Sequence, residues 1–278
     1  MEAQLRKLIP KLGLYNYPLL IAMYEKYALV RYSKKFDQII IFRSAKFIIG
    51  KDVTLFPSVF LGSYESSELD ILLSYDFPKD LVFWDIGANV GLYSVLIGMK
   101  YPNSRVVAFE PNIHVHSLLK QNLFLNSLTN CTIEEVALSN QVGTGELLSQ
   151  ESRPGAGKLD LNYDKSDGDG KLRVLTGEEF LKTHPALVPN LVKIDVEGHE
   201  PEVIDGMFEI IRGYKPMLTI EVFMNLWAGD RYLLWESTIS RLFEIYEGAA
   251  LVSDGESRRI NSWSQNHLTG GMQTLIFT

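Results

Sequence analysis

The feature that most constrains this chain is an apolar run that ends in an acid and turns into a helix at two glycines. It spans Val82–Ser94, with the sequence VFWDIGANVGLYS, and the next apolar run, Val106–Asn112, ends in a second acid, Glu110. A strand, a glycine turn, a helix and a second strand at these separations are typical of a parallel α/β sheet. Ligands bind such sheets beyond the carboxyl ends of the strands, so the two acids mark a candidate site.

Strands and helices alternate from about residue 68 to the C-terminus. Strands are expected at residues 81–85, 105–109, 132–136, 191–194, 217–222, 249–253 and 273–277, and helices at 68–75, 91–100, 113–126, from 201, and at 232–243. The alternation predicts an α/β fold with a doubly wound, mostly parallel, Rossmann-like sheet and an antiparallel C-terminal strand.

Residues 1–60 have a different character and are expected to form a small helical and β appendage to a main domain of residues 61–278. They hold ten Lys and Arg against four Asp and Glu, with a helix expected over Tyr17–Val30 and short antiparallel strands at 38–42, 46–50 and 53–56. One hypothesis for residues 1–35, which are basic and aromatic, is contact with an amphiphilic substrate, a membrane surface or a partner subunit. The alternative is a helix packed on the main domain with its basic face in solvent.

Composition limits the class of protein. The net charge of −7 gives no support to nucleic-acid binding, and the single cysteine, Cys131, excludes an intrachain disulfide. The N-terminus lacks the apolar core and the cleavage site of a signal peptide, and the longest apolar runs are too short to span a bilayer. A soluble, cytoplasmic protein is expected.

Residues 141–171 interrupt the alternation with Pro154, Gly155, Gly157 and a DKSDGDG run. A solvated loop is expected here, and a substrate lid beside a cofactor cleft is a second hypothesis.

The glycine spacing after Asp85 separates two classes of cofactor. Gly87 and Gly91 are arranged as GxxxG, whereas nicotinamide and flavin folds carry GxGxxG and receive a pyrophosphate at the helix N-terminus. An acid at the end of the strand would repel a pyrophosphate and attract a cation. This favours S-adenosylmethionine, which carries an ammonium and a sulfonium.

Glu110 ends the next strand, nineteen residues after Gly91. A carboxylate there can accept both hydroxyls of a ribose. The alternative for Glu110 is a cap on the helix that follows Pro111, and for Asp85 a cap or turn residue.

These residues resemble a known family. The chain is similar to class I S-adenosylmethionine-dependent methyltransferases of the FkbM family over roughly residues 60–250, and VKIDVEGHE is the motif that separates this family from other methyltransferases of the same fold. The matching motifs are GSYESSEL (Gly62–Leu69), DIGANVG (Asp85–Gly91), AFEPN (Ala108–Asn112), VALSN (Val136–Asn140) and VKIDVEGHE (Val192–Glu200). The resemblance implies that residues 61–278 form the catalytic domain. The cofactor-binding residues that it implies, together with the acids above, are Asp85, Gly87, Asn89, Gly91, Glu110, Pro111, Ala137, Leu138 and Asp195.

A second group of polar residues, Asp195, Glu197, His199 and Glu200, follows the strand at 191–194. It lies at the same sheet edge as Asp85, where a methyl acceptor would sit. His199 is the preferred candidate base because its unperturbed pKa lies near neutral pH, and its alternative role is to cap the next helix. Asp195 and Glu197 are further catalytic candidates, and Asp195 can also orient the base or bind the cofactor ammonium. Glu200 can instead favour the positive end of that helix.

A divalent cation at this edge is a competing hypothesis. Asp195, Glu197 and Glu221, with His199, would supply oxygen-rich ligands suited to magnesium or manganese. Nothing in their spacing requires a metal.

The leading functional hypothesis is O-methylation of a hydroxyl on a sugar, a glycolipid or a secondary metabolite. The preference for sugars and natural products comes from the resemblance, and N-methylation stays open because an acidic site also suits an amine. The alternatives are a nicotinamide-dependent oxidoreductase or epimerase on a similar sheet, and a non-catalytic module that binds a partner through its basic, aromatic N-terminus. The sequence does not indicate an oligomeric state.

Overall fold

The computed structural model of the chain describes residues 27, 30–32, 34–52, 55–60, 65–150, 153–161, 172–223, 230–253, 256–267 and 272–278. The strands in chain order are β1 (Ile40–Phe42), β2 (Ala45–Phe47), β3 (Val82–Ile86), β4 (Arg105–Phe109), β5 (Cys131–Glu134), β6 (Val136–Leu138), β7 (Gly143–Gln150), β8 (Arg153–Asp160), β9 (Leu172–Leu175), β10 (Leu191–Ile194), β11 (Met217–Phe223), β12 (Ala249–Ser253), β13 (Glu256–Ile260) and β14 (Met272–Phe277). The helices are α1 (Leu55–Phe60), α2 (Ser66–Ser74), α3 (Leu92–Lys100), α4 (Ile113–Leu125), α5 (Gly177–Thr183), α6 (Glu200–Asp205), α7 (Phe208–Tyr214) and α8 (Asp230–Ile245).

The main sheet has eight strands in the spatial order β13-β12-β14-β11-β10-β3-β4-β5. Strands β11, β10, β3, β4 and β5 are parallel to their neighbours in this order, and β14 pairs antiparallel with β11. The mostly parallel sheet and its antiparallel C-terminal strand confirm the predicted fold class. From β3 the chain builds outward first through β4 and β5 and then, on the other side, through β10 and β11. The strand order therefore reverses between β3 and β10, which is where open α/β sheets bind ligands.

Burial explains why these segments form the centre of the sheet. All five residues of β3 and all four residues of β10 are buried, as expected for parallel strands that are covered on both faces. Two apolar cores lie against the sheet. One includes residues of α2 and α3, and the other includes residues of α6, α7 and α8.

The prediction of a solvated loop over residues 141–171 is wrong for a large part of its length. Strands β7 and β8 form an antiparallel pair, β7 also pairs antiparallel with β9, and β9 runs parallel to β6. The glycines and Pro154 suggested a break in regular structure, but the pairing of β7 with the next strand β8 and with β9 determines the conformation here. Residues 162–171 lie outside the described residues.

The N-terminal segment is partly as predicted. Strands β1 and β2 form an antiparallel hairpin, but the third expected strand, at 53–56, is wrong because Leu55–Phe60 is the helix α1. The Asp52 side chain accepts a hydrogen bond from the Leu55 amide at 2.8 Å, which is the contact of a helix cap. Most of the predicted helix at 17–30 lies outside the described residues.

Two asparagines of α4 join this hairpin to the main domain. The Asn122 amide accepts from the Ile48 amide at 2.7 Å and donates to the Ile48 carbonyl at 3.0 Å and the Val90 carbonyl at 2.8 Å. Asn126, one turn later, bonds the amide and carbonyl of Lys46 in the same way. The side-chain amides of α4 thus bond the backbone of Lys46 and Ile48. In a sheet, the backbone of a neighbouring strand would make these hydrogen bonds.

Among the described residues, no helix is both long enough and apolar enough to cross a membrane.

The Asn122 contacts predict a measurable contribution to stability. Asn122→Ala leaves two backbone carbonyls and one amide without their partner in a buried place, at a cost of about 1–3 kcal/mol for each unsatisfied group. We expect the free energy of unfolding, measured by urea denaturation, to fall by about 3 kcal/mol in total. Asn126→Ala is the matched control and should lose less, because Asn126 is partly exposed and water can replace its bonds. Equal losses in the two variants would contradict this explanation.

Candidate functional site

The described part of the chain has a cavity at the switch point between β3 and β10. Its lining comes from the ends of these strands, from the glycine turn and from the starts of α1 and α3. The lining residues are Leu55, Asp85, Gly87, Ala88, Asn89, Val90, Leu92, Tyr93, Lys193 and Asp195. The structure therefore brings together four of the residues proposed from the sequence, namely Asp85, Gly87, Asn89 and Asp195.

The shape of the turn depends on Gly87. Its φ is +81°, and a Cβ atom built there would lie 1.8 Å from the carbonyl oxygen of Asp195. A side chain at this position would push the end of β3 away from the segment after β10. Asn89 and Gly91 also have positive φ, at 51° and 84°. The turn is thus wound tightly enough for its backbone to line the cavity.

Asp85 is almost completely buried at the base of the turn, with 1% of its surface exposed. Its Oδ2 accepts hydrogen bonds from the hydroxyl of Ser94 at 2.6 Å and from the Ser94 amide at 3.0 Å. Its Oδ1 has no hydrogen-bond partner among the described residues. Burial raises the pKa of Asp85, although Lys193 and Ser94 oppose this shift.

Glu110 connects the turn to the next strand. Its Oε2 accepts from the Asn89 amide and its Oε1 from the Asn112 amide, both at 2.8 Å. Burial raises the pKa of Glu110 to about 7, against the effect of these two amides. Each carboxylate oxygen still has one lone pair that can accept a further donor.

The other proposed cofactor residues lie next to this carboxylate in the chain or on β6, a strand of the second sheet, in which it pairs with β9. Pro111 follows Glu110 directly and is partly exposed, and the buried residues Ala137 and Leu138 belong to β6. None of the three is among the residues that line the described cavity.

A buried lysine, which the sequence reasoning missed, lies on the other side of the cavity. The Nζ of Lys193 is 2.7 Å from Asp195 Oδ2 and 4.7 Å from the centre of the Tyr93 ring. The negative charges of Asp195, Glu65 and Asp85 raise its pKa, although burial acts in the opposite direction. Lys193 is therefore a permanent cation among acids.

Two more carboxylates complete this side. Oxygen atoms of Glu65, Asp195 and Glu221 all lie within 4.8 Å of one another, and the hydroxyl of Tyr93 donates to Glu65. Burial raises the pKa of Glu221 well above its usual range, and the neighbouring charge of Asp195 adds to this. Among described residues, the three carboxylates that meet are thus not the predicted set, because Glu65 takes the place of Glu197 and of His199.

The structure places His199 away from the cavity lining. Its Nε2 is 2.9 Å from the hydroxyl of Ser139, and its Nδ1 is 3.7 Å from Glu202 Oε2. His199 occupies the N-cap position of α6, but its side chain makes no capping hydrogen bond.

Glu197 and Glu200 shape the loop that precedes α6. Glu197 and Gly198 both have positive φ, and Glu200 Oε1 accepts from the amides of Val196 and Gly198. Burial raises the pKa of Glu200 to about 7. Glu200 therefore stabilises the conformation of this loop through its backbone amides.

Sequence signals existed for the residues that were missed. Lys193 is the single charged side chain within the apolar run of β10, and such a residue is rarely buried unless it is paired. Glu65 belongs to the GSYESSEL motif and Tyr93 to the first turn of α3. Their mutual contacts join segments 28 to 128 residues apart, which no local pattern shows.

Comparison with known proteins agrees with the family resemblance that the sequence motifs indicated. Residues 85–244 match the model of the Methyltransferase FkbM domain. The chain is similar to the hexuronic acid methyltransferase AglP of Haloferax volcanii, with 30% identity over 49% of this chain and 54% of that protein. It is also similar to Methyltransferase 1 of Beauveria bassiana, with 28% identity over 47% of this chain and 60% of that protein. The chain thus spans little more than half the length of these relatives.

Among solved structures, an FkbM methyltransferase from Methylobacillus flagellatus KT aligns with a TM-score of 0.48 and 17% identity, over 77% of this chain and 46% of that chain. The family match covers more than half of the chain and includes both acids of the cavity, Asp85 and Asp195. The chain belongs to the FkbM methyltransferase family.

Proposed function

We propose that this protein transfers a methyl group from S-adenosylmethionine to a hydroxyl of a sugar, a glycolipid or a secondary metabolite. The observation that carries the proposal is the buried Asp85 Oδ1, which has no hydrogen-bond partner among the described residues and belongs to a side chain that lines the cavity. Such an oxygen is costly unless a ligand supplies a donor. The ammonium of a methionine moiety is a donor of the right charge.

The residues around Asp85 fit this group. Asp85 would accept from the ammonium, the turn at Gly87 and Asn89 would lie against the methionine moiety, and Glu110 would accept from the ribose hydroxyls. Ala137 and Leu138, buried on β6, are the proposed contacts of the adenine. When bound, S-adenosylmethionine supplies a methyl group activated by its sulfonium. The work of the chain is to orient the donor and to exclude water from it.

The acceptor class is supported by the relatives. One is named as a hexuronic acid methyltransferase, which acts on a sugar acid, and the chain shares 30% identity with it over about half of each protein. The acidic edge formed by Glu65, Asp195 and Glu221 offers acceptor oxygens to sugar hydroxyls. A hydroxyl acceptor that is a small molecule or a glycan is therefore proposed, and N-methylation is the alternative.

A nicotinamide-dependent activity is disfavoured by charge. A dinucleotide would bring its pyrophosphate to the turn after β3, where Asp85 is buried. The proposed membrane or partner contact of the basic N-terminus concerns residues that lie mostly outside the described ranges. Both that contact and a cytoplasmic location stay predictions.

The choice of cofactor can be tested by calorimetric titration of the purified protein. S-adenosylmethionine is expected to bind and NADH is not. Gly87→Ala is expected to abolish this binding, because its Cβ would collide with the Asp195 carbonyl, and Gly213→Ala is the matched control because a Cβ there meets no atom within 4 Å. Binding of NADH but not of S-adenosylmethionine would overturn the proposal.

Glu110 predicts a pH dependence of cofactor affinity. The pKa of its carboxyl is raised to about 7, and the ionised form is the one that accepts two ribose hydroxyls. Affinity for S-adenosylmethionine should therefore weaken as the pH falls from 8 to 6. Glu110→Gln should bind more weakly, with a flatter pH profile.

Glu200→Gln is the control for this titration. The pKa of Glu200 is also raised to about 7, but its carboxyl holds the loop amides of Val196 and Gly198. This variant should keep the pH dependence of the unaltered protein. A profile that flattens in Glu200→Gln and persists in Glu110→Gln would remove Glu110 from the ribose site.

The divalent-cation hypothesis is also testable. The ammonium of Lys193 already lies against Asp195, and Glu221 is hydrogen-bonded to Asp195, so the best candidate ligands are engaged with each other. Methyl transfer from labelled S-adenosylmethionine to glycan and lipid fractions should therefore survive dialysis against EDTA. Loss of transfer that added magnesium or manganese restores would contradict this expectation.

A further inference from the structure

Of the catalytic candidates Asp195, Glu197 and His199, Asp195 is the one among the residues that line the cavity. It follows β10 directly, and its Oδ2 is fixed at 2.7 Å from Lys193 Nζ. Its side chain retains 17% of its exposure, and it lines the same cavity as Asp85. His199, in contrast, has its ring between Ser139 and Glu202. Of the two candidate bases, Asp195 is the one on the cavity wall.

Asp195 is oriented by two partners of different kinds. Lys193 supplies a cation, and Glu221, on the adjacent strand β11, shares a hydrogen bond with the Asp195 carboxylate. Two carboxyl groups that share a hydrogen bond in a buried place must hold a proton between them, because two carboxylates repel each other. Glu65, whose carboxyl accepts from the Tyr93 hydroxyl, adds a further negative charge nearby.

The charges assign that proton to Glu221. Burial opposes ionisation of Asp195, but the charge of Lys193 and the Glu221 hydrogen bond outweigh it and lower the pKa of Asp195. Burial and the charges of Asp195, Glu65 and Glu197 raise that of Glu221. Glu221 is thus a neutral donor, and Asp195 is a carboxylate.

A second observation points to a ligand beside this pair. Asp85 Oδ1 is buried without a partner among the described residues, and Asp85 and Asp195 line one cavity. If the methionine ammonium binds Asp85, the sulfonium that carries the methyl group is only three carbon atoms away from that ammonium, within reach of the cavity that Asp195 also lines. A hydroxyl that attacks the methyl carbon would then reach Asp195.

We propose that Asp195 accepts the hydroxyl proton of the methyl acceptor, and that Glu221 and Lys193 are positioning residues that orient its carboxylate. This inference rests on the proposed function and adds a base to it. It replaces His199 as the candidate for that role.

The step balances without another reactant. A lone pair of the acceptor oxygen forms the bond to the methyl carbon, and the carbon–sulfur bond breaks with its electron pair remaining on sulfur, which leaves a neutral thioether. As the oxygen–carbon bond forms, the hydroxyl proton passes to Asp195 Oδ, and from there to solvent, so that the oxygen does not build up a full positive charge. Because the hydroxyl becomes strongly acidic as this bond forms, a carboxylate of low basicity is sufficient to take the proton.

Variants of the pair separate these roles. Turnover is measured with labelled S-adenosylmethionine and the glycan or lipid fraction that the unaltered protein methylates. Asp195→Asn should lose about 10²–10⁴-fold in turnover. Glu221→Gln, which still donates a hydrogen bond, should stay close to the unaltered protein, whereas Glu221→Leu should lose about tenfold, the value of one hydrogen bond to a charged group. Cofactor affinity, measured by calorimetry, shows whether each variant is folded.

Glu68→Gln is the matched control, because Glu68 is a neighbouring carboxyl that accepts from Thr274 at 3.3 Å and is not one of the three that meet. It should keep full turnover. The inference would be overturned if the Asp195→Asn variant kept full turnover and the His199→Gln variant lost it. A Glu221→Gln variant as inactive as Asp195→Asn would also overturn it, since Glu221 would then be needed as an ionised group.

An infrared difference spectrum tests whether the carboxyl of Glu221 is protonated, and it requires no methyl acceptor. Subtracting the spectrum of Glu221→Gln from that of the unaltered protein at neutral pH should reveal the C=O band of a protonated carboxyl. Carboxylate bands in its place would overturn the assignment of Glu221. Failure of the unaltered protein to bind S-adenosylmethionine would instead overturn the proposed function, and the two failures are therefore distinguishable.

Discussion

The site depends on one buried cation. Lys193 lies among Asp85, Asp195 and Glu65, and without its charge these carboxylates would repel one another in a place where water cannot screen them. The strands β3 and β10 place Asp85 and Lys193 directly opposite each other in the sheet register. The switch point thus carries its own counter-ion, and its acids can stay close together before any ligand binds.

Much of the architecture could be predicted because it is encoded locally. Strands β4 and β10 have the bounds expected from their apolar runs, since a parallel strand buried on both faces leaves a continuous hydrophobic signature. The antiparallel strand β12 also has the expected bounds. The turn at Gly87 could be recognised for a similar reason, because few residues other than glycine adopt the positive φ that this position requires. These features need no information from distant parts of the chain.

Two of the wrong predictions concern local contacts that the residue types did not reveal. Strand β7 pairs mainly with β8, which follows it in the chain, and α1 begins after the Asp52 cap. The site residues that the sequence did not show depend instead on distant partners. Glu65 and Lys193 can be recognised as site residues only when the fold brings α2, α3 and β10 together. His199 has the residue type of a base, but its placement depends on a loop conformation with positive φ at Glu197 and Gly198, which a motif does not specify.

The amide of Asn122 has a consequence beyond stability. It holds Ile48, near the N-terminal hairpin, and Val90, in the glycine turn, with the same side chain. The glycine turn of the cavity and the segment after β2 therefore share one side-chain amide, so that a displacement of either segment strains a hydrogen bond that the other depends on for its position.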